Sequence, residues 1–447
     1  MLSLALALTL AAAVPADPQL SAAIAADDVD GAEAALAAGA DANALLDFGE
    51  TPLARAVEAQ DADLVAALLR HGARADGADA SGLTSLALAC ERGGAAIVRQ
   101  LLDAGADPHR PGAEGAAPLA LCARFAPAET VSWLLARGAP ADRPDPRGQT
   151  PLMWAAAAGR AEAVRLLLAA GARVGRVAKG GFTPLFFGIA GGNPEVARAL
   201  IGAGADTAWR GPENTSALQL ALYQKNWPVA LLLVERDGGH LPPVDLAAVD
   251  RTGNRPLHVA AAAGEQELVA ALLRAGADPN GLTGPSRIRW VTEANFGVAP
   301  PRVPPLSPLL VAAQAGQAGT MRQLVAAGAD RSFVAANGTN VVLAAAAGRR
   351  AEALAYALEL VPDANRADAT GATPLHRVLA GGLYPGLEPM LRLLAAHGAR
   401  TDLPDAKGVT AGKLAEDGLG PVRNLFHQVF LRAQAAGAVA GAITGAR

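Results

Sequence analysis

The chain has 447 residues, a formal net charge of −4 and two cysteines; 51% of its residues are hydrophobic but only 4% are aromatic. A single hydrophobic core stops growing at roughly 250–300 residues, so this length excludes one compact core. The chain must instead form several domains or stack a series of local cores. Lys and Arg are scattered along a slightly acidic chain, so we expect no nucleic-acid partner.

An apolar run, LSLALALTLAAAV, fills residues 2–14 and is followed by Pro15 and Ala16. About 13 residues are too few to span a bilayer but match the core of a signal peptide. The run therefore predicts a signal peptide over residues 1–16 and a periplasmic or secreted protein, although no Lys or Arg precedes it. The alternative is the first helix of a cap in a cytoplasmic protein.

Glycine recurs every 33 residues through the first half of the chain. The series is Gly39, Gly72, Gly105, Gly138, Gly171 and Gly204. A second series has the same period and reads Thr51-Pro52-Leu53, Thr84-Ser85-Leu86, Ala117-Pro118-Leu119, Thr150-Pro151-Leu152 and Thr183-Pro184-Leu185. A fixed period of this size predicts an array in which each unit buries its apolar face against its neighbours.

The sequence pattern of each repeat predicts two helices. The first begins at the Thr-Pro-Leu element, where proline suits a first helical turn, and contains alanine pairs such as Ala155-Ala156. The second has apolar residues at helical spacing, as at Val164 and Leu167, and ends at the periodic glycine. The pattern therefore predicts an all-α chain.

Two segments carry a fuller motif, Arg255-Pro256-Leu257-His258-Val259-Ala260 and Thr373-Pro374-Leu375-His376. These segments resemble the TPLHxA signature of the ankyrin repeat, and Gly-Ala-Asp recurs as in that family, for example at Gly105-Ala106-Asp107. The resemblance implies an ankyrin-repeat solenoid of stacked helix-turn-helix units with hairpin-like tips. It covers residues 17–432 in about 11–12 units and is followed by an Ala/Gly-rich tail at 433–447. It also implies non-enzymatic protein recognition through the tips and the concave helix surface.

No motif for catalysis, for a cofactor or for a metal occurs, and the seven histidines are dispersed. We therefore expect no enzyme, no membrane insertion of the mature chain, and a monomer. Cys90 and Cys122 occupy similar places in consecutive units, one position out of phase. We expect two small core residues there; a disulfide is the alternative.

The fifth position of the Thr-Pro-Leu-His-x pattern forms an apolar stripe. It reads Arg55, Leu88, Leu121, Trp154, Phe187, Leu220, Val259, Val311, Leu343 and Arg377. We expect core packing between adjacent units, with a binding groove as the alternative. Trp154 and Phe187 are oversized for that core and are candidate partner-binding residues.

Other candidate partner-binding residues lie after the alanine pairs, at Arg124, Phe125 and Tyr223, and in an insertion at 281–304. The insertion contributes Arg287, Arg289, Trp290, Phe296 and Arg302, residue types enriched in binding hot spots. Its alternatives are disordered decoration and internal packing. The predicted function is a scaffold that binds a partner protein, from a bacterial source. The alternatives are a secreted effector that engages a host protein and a purely structural spacer.

Overall fold

The structure is a computed structural model that describes residues 17–46, 49–77, 82–112, 115–235, 245–286 and 304–431. The predicted signal peptide, residues 287–303 of the insertion and the Ala/Gly-rich tail lie outside the described residues. Within the described ranges the regular structure is helical and no strand forms, although two isolated β-bridges join Arg210 to Ser216 and Pro404 to Thr410. The all-α prediction is confirmed.

The helices begin and end where the repeat pattern predicts. At the start of one first helix, the Thr51 hydroxyl accepts a hydrogen bond from the Ala54 N–H (3.1 Å), and Pro52 takes the first helical position. The six periodic glycines that end the second helices all have left-handed backbones, with φ between 83° and 102°. Glycine adopts this conformation without a Cβ clash, so the period marks helix ends.

The chain divides into two compact units, Met1–Val229 and Ala230–Arg447. In the first, helices alternate between the first and second helix of each pair. They are α1 (Pro18–Ala25), α2 (Val29–Ala37), α3 (Pro52–Ala59), α4 (Ala62–Arg70), α5 (Ser85–Arg92), α6 (Ala95–Asp103), α7 (Pro118–Phe125), α8 (Ala128–Ala136), α9 (Pro151–Ala157), α10 (Ala161–Ala169), α11 (Pro184–Ala190), α12 (Pro194–Gly202) and α13 (Ala217–Tyr223). The division falls within α14 (Trp227–Val234).

The second unit repeats the same alternation. Its helices are α15 (Pro256–Ala263), α16 (Gln266–Arg274), α17 (Pro308–Gln314), α18 (Ala318–Ala326), α19 (Val341–Ala347), α20 (Ala351–Leu360), α21 (Pro374–Leu379), α22 (Leu387–Ala396), α23 (Ala411–Glu416) and α24 (Gly420–Phe426). A π-helical turn, His427–Leu431, follows α24.

Small residues let the helices of each unit pack closely. First helices contact the first helices before and after them, as α7 contacts α5 and α9. The alanine pair Ala155-Ala156 is fully buried at such a contact. In α11, a Cβ added to Gly188 would lie 2.9 Å from Cγ1 of Val196 in α12. Thin, Ala-rich helices therefore form a continuous but narrow core.

Turns connect second helices to the first helices that follow them, as between α8 and α9, and form the predicted hairpin-like tips. In the turn before α9, Asp145 N–H donates to the Gln149 carbonyl (2.9 Å) and Gly148 N–H to the Asp145 carbonyl (2.9 Å). Neighbouring tips are bonded to each other, since Lys179 N–H donates to the Arg147 carbonyl (3.0 Å). The tips are thus held in register by main-chain hydrogen bonds.

Cys90 in α5 and Cys122 in α7 form a disulfide, with their Cα atoms 4.4 Å apart and both residues fully buried. Our expectation of two separate core residues was wrong. Side chains in phase on successive helices point the same way, whereas a shift of one position turns one residue of the pair toward the other. The phase difference that seemed to separate the cysteines brings their sulfur atoms together.

Candidate functional site

The fifth-position stripe lies at the surface of the first helices. Arg55 and Arg377 are exposed, and five residues of the stripe are half-buried. Those five are Trp154, Phe187, Leu220, Val259 and Val311. Leu88 and Leu121 are buried. Asn340 caps α19, so Leu343 belongs to the fourth position instead. The expectation of a core stripe is therefore wrong for most of its length, because the residues on either side of position five point into the stack.

Arg124 joins two aromatic rings, one at the end of α7 and one in the middle of α9. Its guanidinium carbon lies 4.9 Å from the centre of the Phe125 ring and 5.2 Å from that of Trp154. Phe125 is 39% exposed and Arg124 is exposed. Arg160 donates to the Arg124 and Phe125 carbonyls (3.2 Å each), which fixes the end of α7. The cation and rings are therefore held in place at the surface.

The turn before α9 orients Trp154. Its indole Nε1–H donates to Oδ2 of Asp145 (3.2 Å), while Oδ1 of the same carboxylate accepts the N–H groups of Arg147 and Gln149 (2.8 Å each). One aspartate thus closes the turn and positions the indole. Trp154 itself is half-buried.

A second group of rings lies in the next first helix, α11, and in the turn before it. Phe182 and Phe187 meet edge to face with centroids 6.2 Å apart, and Phe186 lies 6.2 Å from Phe182. Phe186 is buried, Phe187 is half-buried, and Phe182 is 38% exposed. Because α9 contacts α11, and packed helices lie about 8–10 Å apart, the two ring groups occupy neighbouring positions. We call Arg124, Phe125, Trp154, Phe182 and Phe187 together the aromatic surface.

Tyr223 is the last residue of α13 and is 78% exposed. It occupies the helix position that Arg124 holds in α7, but three pairs further along. The corresponding residues of α9 and α11, Ala157 and Ala190, carry no side chain that could bridge the gap. The structure therefore brings Arg124, Phe125 and Trp154 together, places Phe187 on the next helix and leaves Tyr223 separate.

The five candidate residues of the insertion, Arg287, Arg289, Trp290, Phe296 and Arg302, lie outside the described residues. The two ends of the insertion are described and are bonded to each other. Thr283 N–H donates to the Leu306 carbonyl (3.0 Å), and Leu306 N–H donates to the Thr283 hydroxyl (2.9 Å). Nε2 of His258 also bonds to the Leu306 carbonyl (3.0 Å).

His258 is buried beneath these ends. Burial lowers its pKa from 6.5 to about 4, so the ring is neutral at pH 7. A carbonyl only accepts, so Nε2 carries the hydrogen, and Nδ1 has no hydrogen-bond partner within the described residues. His258 and His376 both bond a carbonyl of the following pair, at Leu306 and Val409. His376 also bonds within its own turn, where its Nδ1 accepts from the Thr373 N–H (3.2 Å).

No catalytic or metal-binding geometry is found in the part of the chain that the structure describes. No group of three His, Cys, Asp or Glu side chains there could hold a metal ion. Among the described helices, none combines the length and apolar character needed to cross a bilayer. The aromatic surface offers a fixed cation, ring edges and a hydrogen-bonded indole, which are features of a protein-binding surface.

Sequence reasoning missed Phe182 as a surface residue and Asp145 as the residue that orients Trp154. A signal for Asp145 was available. Trp154 lies nine positions after Asp145, and Arg377 lies nine positions after Asp368, with which it forms an ion pair. In these two repeats an acidic turn residue therefore bonds to the side chain at position five.

Comparisons with known proteins agree with this architecture. A family model described as ankyrin repeats (3 copies) matches residues 20–111, 119–209 and 192–282, together more than half of the chain. No curated protein matches the sequence. Among solved structures, the crystal structure of the human ASB11 ankyrin repeat domain is similar, at 30% sequence identity and a TM-score of 0.45. The match covers 51% of this chain and 100% of that one.

Proposed function

Because the chain belongs to the ankyrin repeat family, we propose that it is a non-enzymatic scaffold that binds a partner protein through the aromatic surface. The observation that carries the proposal is the stacking of Arg124 on Phe125 and Trp154. Arginine and tryptophan are enriched among the residues that dominate binding energy. Here both are pre-positioned, which lowers the entropic cost of ordering them in a complex.

We also propose that the protein is bacterial and exported to the periplasm or beyond. The apolar run at residues 2–14 supports export. The Cys90–Cys122 disulfide also supports it, because disulfides persist mainly in oxidising compartments. In this proposal residues 1–16 are removed, residues 17–432 form the array and the 281–304 insertion is a second contact for the partner.

The aromatic surface favours binding over a purely structural spacer. A spacer needs only a buried core, yet Phe125 and Phe182 leave more than a third of their surface exposed. Four of the six large hydrophobic side chains exposed in the described ranges lie in the first unit. A secreted effector would use the same surface, and would differ in meeting its partner outside the source organism.

Affinity capture from an envelope extract of the source organism, read by mass spectrometry, tests the proposal. Three chains are compared: the intact chain, Arg124→Ala with Trp154→Ala, and a chain with residues 281–304 replaced by a short Gly-Ser link. We expect one partner that the double variant loses. A partner lost only from the link variant would move recognition to the insertion. If none of the three chains captures a partner, the proposal of a scaffold in the cell envelope is contradicted. Capture of a partner from an extract of host cells would then support the secreted-effector alternative.

A further inference from the structure

The basic residues of this chain are not evenly spread, contrary to our expectation from composition. Residues 137–182 contain eight Lys and Arg but three Asp and Glu, a formal charge of +5 in a chain whose total is −4. All of these residues are described. They run from the end of α8 through α9 and α10 to the turn before α11, the part of the array that carries Trp154 and Phe182.

The acidic side chains of this segment are already engaged. Oδ2 of Asp142 accepts from both Arg173 and Arg176, the latter at 3.1 Å. Glu162 pairs with Arg165 (3.0 Å). The third, Asp145, accepts main-chain N–H groups and the Trp154 indole, as described above. Outside the segment, Asp103 pairs with Arg137 (2.5 Å) and Glu195 with Arg165 (3.6 Å), and no carboxylate within it is left for its other cations.

Two of the cations stand at neighbouring tips. The main-chain bond from Lys179 to Arg147 holds the two turns together, and both side chains are exposed. In the described ranges neither side chain forms an ion pair. Their turns lead directly into α9 and α11, which carry Trp154 and Phe187. A cationic edge thus borders the aromatic surface.

We propose that the partner presents an acidic protein segment to this surface, an inference that rests on the proposed scaffold function. Its carboxylates pair with Arg147, Lys179 and Arg124, and an apolar side chain packs on the edge of the Phe182–Phe187 pair. Charge complementarity of this kind steers encounter and fixes register. Carboxylates form strong charge-assisted hydrogen bonds with guanidinium and ammonium groups.

The rings themselves argue against a single-stranded nucleic acid as the occupant. Bases bind by stacking on open aromatic faces. Here Arg124 covers a face of Trp154, and Phe187 meets Phe182 edge to face. The surface therefore offers ring edges and cations, which suit carboxylates and an aliphatic or aromatic side chain better than stacked bases.

Selection of random short peptides displayed on phage, with the intact chain immobilised, tests this inference. We expect the selected peptides to carry net negative charge around one apolar residue and to bind less tightly as salt is raised. The variant Arg147→Glu with Lys179→Glu should bind a selected peptide at least about tenfold more weakly, since two attractive charges become repulsive. Its thermal unfolding should be unchanged, because both side chains are exposed.

Lys407→Glu is the matched control. Lys407 occupies the position of Arg147 in the turn before α23, and its N–H donates to Asp405 as that of Arg147 does to Asp145 (2.9 and 2.8 Å). This variant should bind the peptide like the intact chain. Selection of neutral or basic peptides, an unchanged affinity in the double variant, or displacement of the peptide by an RNA oligonucleotide would overturn the inference. If binding of the captured partner is lost in Trp154→Ala but unchanged in Arg147→Glu with Lys179→Glu, the scaffold function is supported and the proposal of an acidic partner segment is wrong.

Discussion

Trp154 in the first unit and Arg377 in the second occupy the same position of their helices, and each bonds to the acidic turn residue nine positions earlier. Trp154 donates to Asp145 and carries Arg124 on its ring. Arg377 pairs with Asp368, whose side chain is only 2% exposed, while Arg377 itself is 41% exposed. Both compact units therefore contain a contact between position five and the acidic turn residue. Tryptophan makes it in the first unit and arginine in the second.

The surroundings of the two residues differ more than the contact does. In the described first helices of the second unit, position five is Val259, Val311, Ala344, Arg377 or Leu414, with no aromatic residue. In the first unit, position five carries Trp154 and Phe187 beside exposed cations. Since one turn chemistry supports both, the aromatic residues of the first unit are not required by the fold. That difference is what points to recognition.

The disulfide gives the first unit a covalent link that the second lacks, because the chain has only two cysteines. At a sequence separation of 32, loop entropy predicts that the link contributes roughly 3–4 kcal/mol to the stability of the first unit. Hydrogen exchange in α5–α8 should therefore speed up when dithiothreitol is added, while α17–α22 stay unchanged. The Cys90→Ala, Cys122→Ala chain should not respond to dithiothreitol. Equal hydrogen exchange of the intact chain with and without reductant would contradict a stabilising disulfide between Cys90 and Cys122.

The second unit should be the more sensitive to acid. Burial lowers the pKa of His258 to about 4, so between about pH 6.5 and pH 4 the unfolded chain binds a proton that the folded chain does not. Stability is then complete above pH 6.5 and falls by about 3 kcal/mol as the pH drops to 4. Unfolding of α15–α17 by denaturant across this range measures the loss. In His258→Gln, which keeps a donor for Leu306, the slope should flatten; an unchanged slope would assign the loss to other groups.

A single substitution at the start of α15 should increase the stability of the second unit by a smaller amount. At α21, Thr373 and His376 form a capping box, in which the Thr373 N–H donates to Nδ1 of His376 (3.2 Å). At α15, Arg255 replaces the threonine, makes no side-chain cap bond and leaves its Nε buried without a partner. Arg255→Thr should therefore stabilise α15 by about 1 kcal/mol.

The reciprocal substitution, Thr373→Arg, should cost about as much in α21. Thermal and denaturant unfolding of the two variants measure both effects. Loss of stability in Arg255→Thr would mean that the arginine contributes a contact that outweighs the cap.

The sequence predicted the helix pairs well, because the Thr-Pro-Leu element and the periodic glycine mark helix starts and ends by local chemistry. It failed for contacts between successive helix pairs. The Cys90–Cys122 pairing and the exposure of position five depend on how far successive helices are rotated against each other, which a period alone does not give. Asp145 was missed for a different reason: its contact with Trp154 lies within one repeat and depends on how the turn and the first helical residues fold back on each other.

The most direct test of the account is the affinity of the captured partner for Trp154→Ala and for Arg377→Ala, with the unfolding of each variant measured beside it. Arg377→Ala leaves the buried Asp368 carboxylate without its cation and should cost about 2 kcal/mol of stability. We predict that it nevertheless binds the partner like the intact chain, whereas Trp154→Ala loses most of the binding while α9 and its neighbours stay folded. Equal binding by both variants, or loss of binding by Trp154→Ala only where α9 unfolds, would contradict the account.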